Sequence, residues 1–286
     1  MNTTWCRGVP AALGAWILVV LSGCAGGEAA TRPESPATPG SASRAAAEPQ
    51  ADAEAILMGM AKFLSQAQGF MVSIRGGYDV VQPSGQKVEF GYLRKVTVSR
   101  PDRLRIEVEQ SDGDKNLVLF DGKEITVFST PRNVYAKAPK PGSIDEAITY
   151  FIQELRMRLP LAMLFVSRLP AELDRRTQSL DYVEKTNILG VPSHHLAGRT
   201  DTVDFQMWVA EGDQPLPLRV VLTYKDAEGE PQFRAQFSDW NLSPEVTDSM
   251  FAFTPPEGAE KIAFLPQLRA VAVPRKEAPD QRGEQQ

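Results

Sequence analysis

Hydrophobic and polar residues alternate with a period of two along most of the chain between residues 70 and 240. In the segment KVEFGYLRKVTVS, Val88, Phe90, Tyr92, Val96 and Val98 alternate with polar side chains. The segments FMVSIRGGYDV, RLRIEVEQ, DFQMWVA and QFRAQFSDW show the same alternation. Successive side chains of a strand point to opposite faces, so this pattern predicts antiparallel strands with one covered face and one wet face.

Two segments have helical periodicity instead. AEAILMGMAKFLSQA predicts a helix at the start of the domain, with apolar residues on one face. Ser143 and Glu146 form a capping-box motif, and the helix that follows is expected to end or kink at Pro160. The run LAMLFV at residues 161–166 is apolar all round and is therefore expected to be buried or to act as a lid.

The elements add up to roughly ten or eleven locally connected strands with one helix in front and one helical insert. We expect Gly76 and Gly77 to mark a bulge or a bend in the first strand. A sheet of this size curls. The pattern predicts a mainly β fold with α (α+β): a single curved antiparallel sheet with the helices packed on its concave, apolar face.

Near the amino terminus, Arg7 precedes an apolar run of about a dozen residues. This run is too short to span a membrane and has the length of the apolar region of a signal peptide. Ser22-Gly23-Cys24 follows and resembles the lipobox of bacterial lipoproteins. That resemblance implies a signal peptide at residues 1–23, cleavage between Gly23 and Cys24, and lipidation of Cys24, which radiolabelled palmitate would reveal. The alternative is an ordinary secretory signal followed by a chance cysteine.

By resemblance to lipoprotein sorting, Ala25 after the lipidated cysteine implies an outer-membrane lipoprotein that faces the periplasm. Residues 24–50 are rich in Ala, Pro, Ser and Gly, which predicts a disordered tether. Residues 266–286 are expected to be a disordered tail. The folded domain is predicted over residues 51–265. The membrane is then a partner through the N-terminal lipid.

The charged residues favour no nucleic-acid partner, because the net charge is −5 and basic side chains are scattered among acidic ones. His194 and His195 are the only histidines. On a strand they diverge to opposite faces, and no third His or free Cys completes a metal site. Ser193 points away from His194, and no nucleophile motif is present. We therefore predict no catalytic residue, no metal and no cofactor. An enzyme or metalloprotein that uses His194 or His195 is kept as an alternative to the two binding hypotheses given below.

The segments GVPSHHLAGRTDTVDFQMWVAEGDQPLPLRVVLTY, EPQFRAQFSDWNL and FAFTPPEGAEKI, with RPDRLRIEV and NVYAKAP upstream, resemble a bacterial family of predicted periplasmic proteins of unknown function. That family is similar in fold to the LolA/LolB and RseB group. The resemblance implies an unclosed β-barrel in which helices plug an apolar cavity for lipid or acyl chains. Fold-level likeness alone does not establish function.

These observations favour a lipid-anchored periplasmic binding module, non-catalytic, that holds an acyl chain, a lipid or a lipidated protein. The expected cavity lies between the apolar face of the sheet and the helical insert. Its residues are Val72, Ile74, Phe90, Tyr92, Leu104, Ile106, Phe151, Leu155, Leu164, Phe165, Phe205 and Met207. In the alternative, the same residues fill a solid core, and the protein is a protein–protein interaction or envelope stress-sensing module with an envelope partner. Both Trp208 and Trp240 are expected in the core.

Overall fold

The computed structural model describes residues 52–155 and 160–264. The predicted signal peptide, Cys24, the predicted tether and the predicted C-terminal tail lie outside the described residues. Within the part that is described, no helix is long and apolar enough to cross a membrane.

Twelve strands in the described residues form one sheet. The first six are β1 (Gly69–Val81), β2 (Lys87–Ser99), β3 (Arg103–Gln110), β4 (Lys115–Phe120), β5 (Glu124–Ser129) and β6 (Val134–Pro139). The other six are β7 (Ser179–Ile188), β8 (Val191–Arg199), β9 (Val203–Ala210), β10 (Pro217–Tyr224), β11 (Gln232–Asn241) and β12 (Glu260–Ile262).

The sheet consists of two antiparallel meanders, β1–β6 and β7–β11, which are joined where β1 pairs with β11. Its outer strands are β12 and β7, so the sheet is not closed. One strand departs from the antiparallel prediction, because β12 runs parallel to β6. The Glu260 amide donates to the Asn133 carbonyl oxygen at 3.0 Å, and the Asn133 side chain donates to the Glu257 carbonyl oxygen at 3.2 Å. These bonds position a three-residue strand that is too short for a periodic sequence signal.

The first two helices follow their sequence signals. Asp52 caps the N-terminus of helix α1 (Ala53–Gln66), since its side chain accepts a hydrogen bond from the Ala55 amide at 3.0 Å. Helix α2 (Ile144–Gln153) has the expected capping box, since Ser143 and Glu146 each bond the backbone amide of the other. It ends at Gln153 and not at Pro160, and a 3₁₀ helix, Ala162–Phe165, follows.

Helix α3 (Leu169–Arg176) was not predicted. The segment has few apolar residues, so it lacks the periodicity of a core-facing helix. It packs on the core through Leu169 and Leu173 alone, and Glu172 pairs with Arg175 at 2.6 Å and with Arg176 at 2.9 Å.

The helices and one face of the sheet share a single hydrophobic core. Leu57, Met60 and Leu64 of α1 are buried in it with Phe70 and Leu196 of the sheet. The helical insert between β6 and β7 packs on the same core. The sequence prediction of an α+β fold, an unclosed barrel with helices against one face, is therefore confirmed.

The opposite face of the sheet is only partly wet, which differs from the two-faced prediction. Arg105 donates to the Met250 carbonyl oxygen at 2.8 Å, and Phe251 is buried. The Phe253 ring lies 5.5 Å from the ring of Phe128. The C-terminal segment covers the Phe128 ring of β5 there, and alternation within single strands cannot reveal such long-range cover.

Candidate functional site

Eleven of the twelve expected cavity residues lie in the buried core. They are Val72, Ile74, Tyr92, Leu104, Ile106, Phe151, Leu155, Leu164, Phe165, Phe205 and Met207. The twelfth, Phe90, lies near the start of β2 and is 41% exposed. The structure therefore brings eleven of them together as packed neighbours and leaves Phe90 outside.

An open groove of about 810 Å³ lies where β1, β3 and β10 end and β11 begins. The sheet contributes Tyr78, Phe233 and Tyr224 to its lining, and the helical insert contributes Ile152 and Pro160. None of the twelve expected residues lines it. It exceeds the pocket of about 360 Å³ beside β3 and the pocket of about 240 Å³ beside α1.

Aromatic rings form the floor of this groove and continue beyond it. The Tyr78 ring stacks on the Phe90 ring, with centroids 6.0 Å apart. The Tyr92 ring stacks on the Phe233 ring at 5.4 Å. Phe90 therefore extends the apolar surface of the groove toward solvent.

Among the described residues that line the groove, Arg94 is the cation. Its guanidinium carbon lies 4.3 Å from the centre of the Tyr92 ring and 5.5 Å from that of Phe233. Its Nη1 donates to the Pro160 carbonyl oxygen at 3.4 Å, while its Nε is buried without a hydrogen-bond partner among the described residues. In the same part of the chain, no carboxylate pairs with Arg94. Burial lowers the pKa of the Arg94 guanidinium, although an arginine stays charged at neutral pH.

The buried carboxylate of the groove is already paired. Asp79 accepts from Arg234 at 2.8 Å and from the Gln232 amide at 2.9 Å. The Arg234 hydrogen bond holds the pKa of Asp79 below its ordinary value. Asp226, the other acidic residue of the lining, is exposed at the rim.

A close approach of three strands supports the floor. The Tyr92 hydroxyl of β2 donates to the Arg234 carbonyl oxygen of β11 at 2.9 Å, and Gly76 of β1 lies between them. A Cβ at Gly76 would be 1.9 Å from that carbonyl oxygen. The bulge expected at Gly76 is absent: β1 and β2 pair continuously there, and the irregularity of β1 lies between Met71 and Ser73. Because Gly76 has no side chain, the backbone of β11 and the Tyr92 side chain can meet beside it.

The two histidines point to opposite faces of β8, as expected. His194 Nδ1 lies 3.3 Å from the Tyr182 hydroxyl, and His195 Nε2 lies 3.1 Å from Gln206 Oε1. The His195 ring also stacks on Trp208 at 4.1 Å. No group of three or more His, Cys, Asp or Glu side chains in residues 52–155 and 160–264 is arranged to hold a metal ion.

The two tryptophans differ in their surroundings. Trp240 packs on the core ring of Phe70 at 5.5 Å, as expected. Trp208 lies on the opposite face of the sheet, between His195 and Arg219, because its neighbour Met207 takes the core-facing position. The expectation of core packing was wrong for Trp208.

Sequence reasoning missed Arg94, although its signal was present. In the segment YLRKV, Arg94 occupies the same face as Tyr92 and Val96. A charged residue in the inward register of an otherwise apolar strand face is the feature that marks it. The positions of Ile152 and Tyr224 beside it depend on how distant chain segments meet, and no local pattern predicts them.

The family described as "Predicted periplasmic protein (DUF2092)" matches residues 53–265. No curated protein matches the chain in sequence. The match covers both meanders and every helix described above.

Several solved structures are similar at low sequence identity. Lipoprotein LppX of Mycobacterium tuberculosis is 15% identical over 68% of this chain and 97% of its own, with a TM-score of 0.43. A LolA superfamily protein from Nitrosomonas europaea is 12% identical over 70% and 97%, with a TM-score of 0.34. MucB in the Pseudomonas aeruginosa MucA/MucB complex is 19% identical over 71% and 62%, with a TM-score of 0.36.

Proposed function

The chain belongs to the DUF2092 family of predicted periplasmic proteins, and we propose that it is a non-catalytic binding module whose groove holds a hydrophobic ligand. The ligand is an acyl chain, a lipid or a lipidated protein. The eleven buried residues that were expected to line a cavity pack in the core beneath the groove. The ligand-binding surface itself is the stacked aromatic floor and the facing insert.

The observation that carries this proposal is the apolar lining of the groove from two sides. Its volume of about 810 Å³ falls within the range of about 300–1,000 Å³ that is usual for ligand pockets. Ile152 is 39% exposed at its edge, and Phe90 is exposed beside it. Covering apolar surface contributes about 25 cal/mol per Å². A ligand between Tyr78 and Ile152 would remove such surface from water on both sides.

We further propose that Cys24 carries the lipid anchor and that the protein is held at the outer membrane. The lipobox-like Ser22-Gly23-Cys24 supports the anchor, and Ala25 supports the outer membrane. Several acyl chains on one cysteine give stable anchoring, because each buried methylene contributes about 0.8 kcal/mol.

Native mass spectrometry tests ligand binding directly. The protein is purified gently from its own host, and its native mass is compared with its mass after denaturation, which retains any covalent lipid on Cys24. We expect a native mass excess that dissociates as lipid. Equal native and denatured masses contradict the proposal and support the alternative, a protein–protein interaction or stress-sensing module with a solid core.

Metabolic labelling tests the anchor. Radiolabelled palmitate should enter the wild type and the Cys6→Ser variant, because Cys6 precedes the cleavage site. It should not enter Cys24→Ser. Label in Cys24→Ser would contradict the lipobox assignment.

A further inference from the structure

We propose that the groove selects amphiphiles with an anionic head, whose carboxylate or phosphate binds Arg94. This inference rests on the proposed function, because it names the ligand class of the same groove. It adds a charge requirement that an apolar groove alone would not impose.

Arg94 is a largely buried cation with few hydrogen-bond partners among the residues that the structure describes. A buried charge is costly unless it is paired and hydrogen-bonded. Arg94 Nε has no partner among the described residues, and Nη1 has one long hydrogen bond to the Pro160 carbonyl oxygen, at 3.4 Å. The guanidinium lines the groove and has no carboxylate partner among the described residues, so an anion in the groove would compensate its charge. Carboxylates and phosphates match the fork of arginine donors with two parallel hydrogen bonds.

The surroundings favour an external anion over an internal one. The carboxylate of Asp79, which also lines the groove, is held by Arg234 and by the Gln232 amide. Asp226 is exposed at the rim. Glu89 lies 3.1 Å from Arg234 and does not pair with Arg94. Within residues 52–155 and 160–264, the acidic groups around the groove thus leave Arg94 without a carboxylate partner.

Ring contacts hold the guanidinium in place. It lies over Tyr92, whose hydroxyl is in turn fixed on the Arg234 carbonyl oxygen. A cation stacked on a fixed ring loses less side-chain freedom when it binds an anion. The apolar remainder of the ligand then lies between Tyr78 and Phe233 on the sheet and Ile152 on the insert. Head and chain are recognised by neighbouring but different side chains.

The test compares two ligands of equal chain length on the same protein. The purified full chain, freed of bound lipid, is titrated with palmitate and with hexadecanol by displacement of Nile red. We expect palmitate to bind about tenfold more tightly than hexadecanol, because hydrogen bonds to a charged group contribute about 1.5–3 kcal/mol. In Arg94→Gln the ratio should fall to about one, with hexadecanol affinity nearly unchanged.

Arg219→Gln is the matched control. Arg219 also lies over an aromatic ring, Trp208, at 5.2 Å, but on the opposite face of the sheet. That variant should keep the wild-type ratio. Arg94→Lys should keep part of it, since it retains the charge and loses the planar fork. Each variant is judged by its own ratio, so a partly unfolded sample does not mimic the effect.

The outcomes separate the two proposals. Equal affinities for palmitate and hexadecanol in the wild type, or a ratio that Arg94→Gln leaves intact, overturn the anionic head and leave the hydrophobic ligand standing. Binding of neither ligand overturns the proposed function and this inference with it. Displacement of palmitate by acetate at the same concentration would show that Arg94 takes free anions and would overturn the amphiphile assignment.

Discussion

The Tyr92 hydroxyl donates a hydrogen bond to the Arg234 carbonyl oxygen at 2.9 Å, although a complete strand lies between the strands that carry them. The bond crosses β1 at Gly76, which has no side chain to block it. It ties β2 to β11 beneath the groove. The aromatic floor and Arg94 rest on this link between the two meanders.

Replacing Gly76 by alanine should therefore destabilise the protein. The new Cβ would lie 1.9 Å from the Arg234 carbonyl oxygen and 2.7 Å from the Tyr92 hydroxyl, and overpacking of this kind costs about 2–3 kcal/mol. Urea unfolding measures the free energy of unfolding. Gly59→Ala in α1 is the control, because nothing lies within 4 Å of its Cβ; it should stabilise by up to about 1 kcal/mol. Equal stability of Gly76→Ala and wild type would contradict the close approach.

Tyr92→Phe should change how stability depends on alkaline pH. Burial raises the pKa of Tyr92 above its ordinary value, which is about 10 in an unfolded chain. The contribution of neutral Tyr92 is therefore fully present below about pH 10 and is lost as the pH rises further. The wild type should lose more unfolding free energy than Tyr92→Phe between about pH 9 and pH 11. Identical losses in urea titrations at both values would argue against a buried hydroxyl.

Asp79→Asn should change how stability depends on acidic pH. Because Arg234 lowers the pKa of Asp79, the stability from this carboxylate is present above the unfolded value of about 3.9 and is lost as the pH falls below it. We expect the variant to be about 1–2 kcal/mol less stable at neutral pH. The difference from wild type should shrink below about pH 4.

Glu89→Gln is the control for that experiment, since Glu89 also contacts Arg234 but its side chain is 57% exposed. Its effect should stay within about 0.5 kcal/mol. A loss in Glu89→Gln as large as that in Asp79→Asn would mean that the exposed pair, and not the buried one, stabilises this corner.

Core and groove residues should respond differently to substitution. Phe165→Ala removes a fully packed ring and should cost about 3–5 kcal/mol of unfolding free energy, while the folded fraction keeps its ligand affinity. Ile152→Ser should weaken binding about threefold to tenfold, because it removes apolar contact surface, and should hardly change stability. Val183→Ser on β7 is the control, since Val183 is 49% exposed outside the groove. Weaker binding in Phe165→Ala but not in Ile152→Ser would place the ligand in the core instead.

The sequence predicted the elements whose signals are local. The alternation around Phe90 and Val96 identifies β2, and the Ser143–Glu146 capping box identifies the start of α2. It did not predict α3, which contacts the core through only Leu169 and Leu173, nor β12, whose three residues are too few to show a period.

The site was harder to predict than the fold. Alternation identified core-facing residues such as Ile74 and Ile106, but a filled core and an open cavity have the same sequence pattern. The groove arises where the end of β1 meets the start of β11 and the end of α2, segments far apart in the chain. Arg94 did have a local signal, a charged residue at a core-facing position of β2, but that signal was missed.

Photo-crosslinking tests the central claim, that the groove holds the ligand, most directly. A palmitate analogue with a diazirine at the end of its chain is bound to the purified protein and irradiated, and the labelled peptides are sequenced by mass spectrometry. The account predicts labels on the peptides that carry Tyr78, Ile152 and Phe233, and their loss when unlabelled palmitate is in excess. Labels spread over exposed apolar residues such as Leu189, unaffected by unlabelled palmitate, would contradict it.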